Sequence, residues 1–510
     1  MGHPGGEVID LIEGFRQAGL EFVLTKHETS AAFMAEAMAT LTGVPGACVA
    51  TLGPGATNIV TGVAHAFLDR APVIVLTGQL PVERYEIVTH QKLDLRALFA
   101  PITKWQASVT PATAATVTDR ALRVSLSQRR GPVFLEVPSD VAGQDAPEPP
   151  VHEIFPEPRG SIDEVRARRA ADMLRDAKRP VILVGLEALD ASDALVRLAE
   201  AWSIPVIASP KAKGVIRDDH PLYLGTLEGL GSARLYDWID GRDLVLMVGF
   251  DPVEFDRDWS ASAPVIHIGP LPNDDRYYPS ALDLAGPVRQ YLDALLGNAG
   301  IAEPTAAEIA SEMAAFHDSF RAFVRPRRNG LTAQQVLAEL RTALPEKALV
   351  SCDVGFNKGV ASQCWPAYAP RTFFLSNGLS SMGYGLPAAI GLKLALPDLP
   401  VACILGDGGF AMSMAELETA ARLGLALTVV VLADEALSQI RAGQERKRIP
   451  TTGTTFGTLD YIALARAFGA RGVDVTTVDE CRRAFAEAGG ATGITLVAAH
   501  IDASGYDLAT

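Results

Sequence analysis

The amino-acid sequence predicts an α/β protein built from three doubly wound parallel-sheet domains. Short β-branched apolar runs alternate with helical patterns along the whole chain, and two proline-rich stretches divide it. Nearly continuous apolar strands separated by helices are typical of parallel sheets that are covered on both faces. The chain has 510 residues, which exceeds the size of one ordinary domain. We therefore expect three domains of similar size and one fold class.

Seven apolar runs are the clearest predicted strands. Each is short and rich in Val, Ile, Leu or Ala, and helical patterns or turn residues separate it from the next run. The runs are residues 46–52, 71–78, 131–138, 180–185, 243–249, 401–407 and 427–434.

Two stretches read as linkers because they are dense in proline and polar residues. One is "GQDAPEPPVHEIFPEPRG" at 143–160, and the other spans about 297–330 and ends in "RPRRNG". They place the domains at residues 1–150, 158–300 and 328–510.

The overall composition excludes several classes of protein. The chain has 45 Lys and Arg against 60 Asp and Glu, a net charge of −15, whereas nucleic-acid binding needs clustered positive charge. Its five cysteines form no C-x-x-C pair, so neither a zinc site nor a disulfide framework is indicated. No apolar run reaches membrane-spanning length, and the start lacks a signal-peptide pattern. We expect a cytoplasmic protein that binds neither nucleic acid nor membrane.

Two carboxylates follow two consecutive predicted strands. One strand ends at Leu405, a Gly-Asp-Gly-Gly turn with Asp407 follows, and an amphipathic helix is predicted from about Ala411 to Leu423. The next strand leads to Asp434. Parallel strands open at the same sheet edge, so both carboxylates should meet there beside a helix N-terminus that favours anions. Oxygen ligands of this kind suit Mg²⁺ on a diphosphate, although a tight turn with a capping Asp and a surface Asp would give the same pattern.

This motif resembles the cofactor motif of thiamine diphosphate enzymes, in which GDG is followed by a helix, an apolar strand and a carboxylate or amide. The family usually ends the motif in Asn-Asn or Asn-Asp, whereas this chain has Ala433-Asp434. The resemblance implies that the metal ligands are the side chains of Asp407 and Asp434 and the backbone carbonyl of Ala436. It also implies that Gly408 and Gly409 contact the cofactor.

Residues 25–58, "TKHETSAAFMAEAMATLTGVPGACVATLGPGATN", resemble the pyrimidine-binding domain of the acetolactate synthase group. Glu28 falls on the family's catalytic glutamate, whose carboxyl group hydrogen-bonds N1′ of the aminopyrimidine. An acid in the N-cap region of a helix is the simpler alternative. Residues 89–105 resemble the segment that carries a glutamine near the substrate, and Gln91 takes that place.

Two further segments resemble the thiazolium and diphosphate sides of the same cofactor site. In "SNGLSSMGYGLPAAIGLKLALP" (376–397), Met382 matches the apolar residue that supports the bent cofactor, and the Ser380 carbonyl would bind its 4′-amino group. In "SCDVGFNKG" (351–359), Asn357 lies where the family has a polar diphosphate contact. A turn-forming role for Asn357 is equally compatible with the sequence.

The resemblance implies an enzyme that depends on thiamine diphosphate and Mg²⁺, decarboxylates a 2-oxo acid and ligates the product, as acetolactate synthases do with pyruvate. A 2-oxo acid decarboxylase or aldehyde lyase without ligation is the first alternative, and an inactive structural or regulatory paralogue is the second. The segments at 247–255 and 264–269 resemble FAD-independent acetolactate synthases, so FAD is not expected. In this family the cofactor lies between two subunits, which implies a homodimer or homotetramer.

The beginning of the chain differs from the family pattern. The family has a strand and a helix before a Gly-x-Pro-Gly turn, and Gly2-His3-Pro4-Gly5 matches that turn. By resemblance, we expect the first domain to lack its first strand and helix.

Overall fold

The computed structural model describes residues 1–147, 160–229, 231–255, 259, 261–273, 278–297, 303–323 and 330–503. The predicted domain bounds at 150, 158, 300, 328 and 510 lie outside the described residues. Three parallel sheets are present, one in each predicted domain range. No helix in the described part of the chain has the length and apolar character to cross a bilayer.

The first domain contains a five-stranded parallel sheet with the order β1-β2-β3-β5-β4. Its strands are β1 Gly2–His3, β2 Gly46–Ala50, β3 Val73–Gln79, β4 Gln106–Ser108 and β5 Val133–Pro138. Its helices are α1 Ile9–Gln17, α2 Glu28–Thr42, α3 Pro54–Asn58, α4 Val60–Leu68, α5 Leu95–Phe99 and α6 Ala114–Leu126.

The central domain contains a six-stranded parallel sheet with the order β11-β10-β9-β6-β7-β8. Its strands are β6 Pro180–Val184, β7 Val206–Ala208, β8 Tyr223–Thr226, β9 Leu244–Val248, β10 Val265–Gly269 and β11 Leu282–Ala285. Helices of this part of the chain are α7 Glu164–Asp176, α8 Ser192–Trp202, α9 Ser232–Asp240, α10 Val288–Leu296 and α11 Glu303–Phe323.

The third domain contains a six-stranded parallel sheet with the order β13-β12-β14-β15-β17-β16. Its strands are β12 Leu349–Cys352, β13 Phe373–Leu375, β14 Val401–Gly406, β15 Thr428–Ala433, β16 Arg471–Val475 and β17 Thr495–His500. Its helices are α12 Ala333–Ala343, α13 Phe356–Cys364, α14 Gly385–Ala395, α15 Asp407–Ser413, α16 Glu416–Arg422, α17 Ser438–Arg446, α18 Tyr461–Ala467 and α19 Val478–Gly489.

The predicted α/β class and the three parallel-sheet domains are confirmed. Every one of the seven predicted runs contains an observed strand, because each run has enough apolar residues to be buried on both faces. The prediction of one helix from about Ala411 to Leu423 is wrong in both the start and the continuity of the helix. Gly406 ends β14, residues 407–409 begin α15, and a break at residues 414–415 separates α15 from α16. Glycines normally disfavour helices, but here they allow α15 to lie against neighbouring side chains.

Close packing of α2 against α14 joins the first domain to the third. Phe33 and Met34 of α2 belong to the same buried apolar cluster as Leu386 and Ile390 of α14. At Gly391 the backbones approach so closely that an added Cβ would lie 2.5 Å from the Met34 carbonyl oxygen. Since α2 begins at Glu28, this contact fixes the helix that carries the candidate catalytic acid.

We predict that Gly391→Ala destabilises the protein, because the new methyl group meets a backbone atom that has no room to move. Overpacking of this kind costs about 1–3 kcal/mol. Gly443→Ala is the matched control, since Gly443 is also inside a helix but an added Cβ meets nothing within 4 Å. That substitution should stabilise the protein by roughly 0.5–1 kcal/mol. Urea denaturation of both variants tests the prediction, and equal shifts would contradict it.

Candidate active site

The candidate site lies at the carboxyl ends of three neighbouring strands in the third domain. The chain passes from β12 to β13 on one side and from β14 to β15 on the other, so the order reverses between β12 and β14. Ligands of doubly wound sheets bind at such a reversal. An aspartate follows each of the three strands β12, β14 and β15, namely Asp353, Asp407 and Asp434. The predicted meeting of Asp407 and Asp434 at one edge agrees with the pairing of β14 and β15.

Asp407 connects the ends of two strands. Its carboxylate accepts the backbone N–H groups of Gly408 at 2.7 Å, Asp434 at 3.2 Å and Glu435 at 2.6 Å. The side chain is buried, and burial raises the pKa of Asp407 even though these N–H groups lower it. Glu435 has a left-handed backbone with φ 58°, which turns the chain sharply after β15.

Asp434 lies beside Asp407 and is half-buried. It accepts the hydroxyl of Ser438 and the backbone N–H of Ala436, the latter at 3.3 Å. Burial raises the pKa of Asp434, and the negative charge of Asp407 raises it further. A buried and a half-buried carboxylate that repel one another form an oxygen-rich site in which a hard cation would relieve the repulsion. The donor set therefore fits Mg²⁺.

The glycines of the GDG segment allow close contact with Met382. A Cβ on Gly408 would lie 3.1–3.2 Å from the side chains of Leu437, Met382 and Phe456. A Cβ on Gly409 would lie only 2.8 Å from the carboxyl carbon of Asp353. The structure thus brings Gly408, Gly409 and Met382 together with the aspartates, although they are distant in sequence.

Asp353 is a buried residue of this site that the sequence analysis did not single out. Its carboxylate accepts the backbone N–H groups of Val354 at 2.6 Å, Gly383 at 3.0 Å and Gly385 at 3.2 Å. It therefore holds the segment that carries Met382. Burial raises the pKa of Asp353 to about 6. The sequence contains a signal that could have identified Asp353: it directly follows the apolar run "ALVSC" and precedes a glycine by two residues.

The N-terminus of α13 faces the same edge of the sheet. Gly355 precedes the helix with φ 136°, and no side chain caps the first helical N–H groups. A helix N-terminus without a side-chain cap favours a diphosphate. Asn357 is buried and donates from Nδ2 to the Asp353 carbonyl oxygen at 2.6 Å. The turn-holding role of Asn357 is therefore present, and its contact with a diphosphate stays a prediction.

Ser380 has a left-handed backbone with φ 51°, an unfavourable conformation for a residue with a side chain. Its hydroxyl donates to the Asn377 carbonyl oxygen at 2.8 Å, and Lys358 Nζ lies 3.5 Å from the same hydroxyl. The contact of its carbonyl group with a cofactor stays a prediction.

The first domain brings Glu28 and Gln91 to a second cluster. Glu28 is the first residue of α2 and is only 7% exposed. Asn58 Nδ2 donates to Glu28 Oε2 at 3.0 Å. Gln91 lies against Gly53, since a Cβ on Gly53 would meet the Gln91 side chain at 3.0 Å. The "GPGATN" segment therefore touches both predicted catalytic residues.

These clusters form two half-sites within one chain. We name Glu28, Asn58 and Gln91 the first-domain half-site, and the residues at the edge of the third sheet the third-domain half-site. Among the described residues, no hydrogen bond or ion pair joins Glu28 or Gln91 to Asp407, Asp434 or Met382. The third-domain half-site can hold a metal and a diphosphate, and the first-domain half-site offers a shielded carboxyl group for proton transfer.

Three parts of the chain match one family of known proteins. Residues 1–98 match the family described as thiamine pyrophosphate enzyme, N-terminal TPP binding domain. Residues 167–295 match the central domain of the same enzymes, and residues 353–499 match their C-terminal TPP binding domain.

Curated relatives cover nearly the whole chain. A probable 2-ketoarginine decarboxylase of Pseudomonas aeruginosa is 33% identical over 98% of this chain and 90% of its own length. An acetolactate synthase of Bacillus subtilis is 30% identical over 99% of this chain and 90% of its own length. A catabolic acetolactate synthase of Raoultella terrigena is 29% identical over 98% of this chain and 92% of its own length.

We predict that Asp353 makes the free energy of unfolding fall as the pH rises from about 4 to about 6. The unfolded carboxyl group loses its proton near its ordinary pKa of 3.8, whereas the folded one holds its proton up to about 6. Over this window the linkage amounts to about 3 kcal/mol. Asp353→Asn lacks this titration.

The measurement compares wild type and Asp353→Asn by urea denaturation across this pH range. The difference in unfolding free energy, wild type minus variant, should decrease with rising pH. A constant difference would contradict the prediction.

Proposed function

Because the chain belongs to the thiamine pyrophosphate enzyme family, we propose that it decarboxylates a 2-oxo acid and ligates the product to a second carbonyl compound, as an acetolactate synthase-like carboligase. Pyruvate is the proposed donor, and Mg²⁺ is the proposed metal. The observation that supports this most is the placement of Asp407 and Asp434 at adjacent strand ends, next to Met382. We also propose a cytoplasmic location and no requirement for FAD.

Each residue of the third-domain half-site has a proposed binding role. Asp407, Asp434 and the Ala436 carbonyl would hold Mg²⁺, and the N-terminus of α13 with Gly408–Gly409 would face the diphosphate. Asn357 would contact the diphosphate, and the Ser380 carbonyl the 4′-amino group. Met382 would support the bent cofactor. When bound, thiamine diphosphate supplies an electron sink for the carbanion left by decarboxylation.

Glu28 would hold and donate a proton at the ring nitrogen N1′. Asn58 occupies Glu28 Oε2, so Oε1 is the oxygen that remains for the cofactor. Burial of the side chain excludes water from this proton transfer. Gln91 would orient the substrate at the same half-site, since it lies against the turn at Gly53.

A second copy of the chain would complete the active site, so we propose a homodimer or a homotetramer. Within the described part of the chain, no hydrogen bond or ion pair joins Glu28 or Gln91 to the third-domain half-site, and a partner subunit would bring its first-domain half-site to the third-domain half-site. Large apolar side chains exposed near both half-sites support this proposal. Ile87, close to Gln91 in sequence, is 78% exposed, and Met412 in α15 is 65% exposed.

Decarboxylation without ligation is the second candidate, and aldehyde lyase chemistry belongs with it. The relative named a probable 2-ketoarginine decarboxylase favours this candidate. An inactive paralogue is less well supported, because Glu28, Asp407 and Asp434 are all retained in a folded arrangement.

Product analysis tests the proposal. We expect the protein, incubated with pyruvate, thiamine diphosphate and Mg²⁺, to release CO₂ and form acetolactate. CO₂ with free acetaldehyde would establish the decarboxylase, and a panel that includes 2-ketoarginine would find another donor. Glu28→Gln should bind the cofactor but lose at least about 10²-fold in rate, because an amide does not release and regain a proton as a carboxyl group does. If neither product forms from any donor, the proposal is overturned.

We predict that cofactor binding weakens as the pH falls. Burial raises the pKa values of Asp407 and Asp434, so both carboxyl groups hold protons to higher pH and must release them to ligate a metal. Calorimetry in two buffers of different ionisation enthalpy gives the number of protons released when Mg²⁺ and thiamine diphosphate bind. The Asp434→Asn variant keeps an oxygen ligand that carries no titratable proton, so fewer protons should be released when the metal and cofactor bind. An unchanged number would contradict the prediction.

A further inference from the structure

Asp69 of the first domain holds the backbone of the third domain beside Ser380. It follows α4, and its carboxylate accepts the N–H of Gly378 at 2.6 Å and of Asn377 at 3.2 Å. Ser376, at the start of the same segment, bonds His65 Nδ1 at 3.1 Å and accepts the N–H of Ser381 at 2.9 Å. Contacts from the first domain therefore hold residues 376–378 directly, and Ser376 in turn holds Ser381 at the other side of Ser380.

Glu416 of the third domain holds the first domain in the reverse direction. Its carboxylate accepts the N–H groups of Lys26 at 3.0 Å and His27 at 3.1 Å, immediately before Glu28. It also accepts the Thr419 hydroxyl at 2.7 Å, and the side chain is 1% exposed. Each of the two domains thus supplies a buried carboxylate to the backbone next to the other domain's site residue.

A buried network supports Asp69 at the junction of all three domains. Lys211 of the central domain lies 3.0 Å from Asp69 and 3.6 Å from Glu36, and Tyr384 donates to Glu36 at 2.9 Å. The carboxylates of Glu36 and Asp69 with His65 also have the spacing of a metal site. The Lys211 ammonium pairs with both carboxylates, so the cluster is an internal ion network.

We propose that Asp69 and Glu416 are positioning residues that reciprocally fix the catalytic segments of the third and first domains. Asp69 sets the backbone around Ser380 and Met382, and Glu416 sets the position of Glu28. The roles of those three residues rest on the proposed function, whereas the reciprocal bracing does not. Ser380 supplies the physical need, because a non-glycine residue with φ 51° persists only where surrounding contacts over-determine it.

Hydrogen–deuterium exchange of the cofactor-free protein tests the bracing directly. Asp69→Asn should accelerate exchange of peptides covering 376–381 by about tenfold, while peptides covering 25–30 change less. Glu416→Gln should give the reverse pattern. Ser376→Ala removes a single hydroxyl and should also accelerate 376–381, which provides the test if Asp69→Asn fails to fold.

Asp218→Asn is the matched control, since Asp218 has a side chain that is only 9% exposed and also pairs with a buried lysine, Lys213, of the central domain. It should change neither peptide. The proposal is overturned if each peptide exchanges at the same rate in all four variants. It is also overturned if the exchange rate rises uniformly across the chain in the three test variants.

Cofactor measurements separate this inference from the proposed function. Asp69→Asn should raise the thiamine diphosphate Kd by about tenfold, because ordering the segment then costs binding energy. Glu416→Gln should lower kcat with a smaller change in that Kd, because it displaces Glu28. Failure of the wild type to bind the cofactor would reject the proposed function, while the exchange pattern would still decide the bracing.

Discussion

The rest of this structure depends on one kind of interaction, the hydrogen bond that a backbone N–H group donates to a buried carboxylate. Asp353 and Asp407 fix loops within the third domain, and Asp69 and Glu416 fix loops across the interface between the first and third domains. Hydrogen bonds to charged groups are worth about 1.5–3 kcal/mol each, roughly twice a neutral bond. The loop at residues 376–385, which Asp69 and Asp353 hold, is rich in glycine and serine and has few side chains to pack, so polar contacts must order it.

Three carboxylates of the third-domain half-site carry an energetic penalty in the folded chain. Burial raises the pKa values of Asp353, Asp407 and Asp434, which means that their ionised forms are disfavoured in the folded chain. Asp353 makes several backbone contacts that offset part of this cost. Asp407 and Asp434 lie side by side, so repulsion between them adds to this cost. The Mg²⁺ of the proposed function would relieve this repulsion, and metal affinity would then be gained where the stability of the cofactor-free protein is reduced.

Local sequence patterns predicted those features that depend on neighbouring residues along the chain. The strands before Asp407 and Asp434 were predictable because continuous apolar runs require burial, and parallel connectivity then placed both aspartates at one edge. The helix start at Asp407 was missed because Gly-Asp-Gly-Gly reads as a turn. The contacts of Glu416 with Lys26 and His27 and of Asp69 with Gly378 were not predictable, since they join segments hundreds of residues apart and leave no periodic signal.

Helix α2 shows why the bracing and the proposed chemistry are linked. Its first residue is Glu28, its middle contains Glu36 in the junction network, and Met34 packs against the backbone at Gly391. A helix is stiff over this length, so the interface that buries its middle also determines where Glu28 lies. Glu416 removes the remaining freedom by binding the two residues before the helix. The position of the acid is thus set by the third domain of its own chain, before any partner or cofactor contributes to the site.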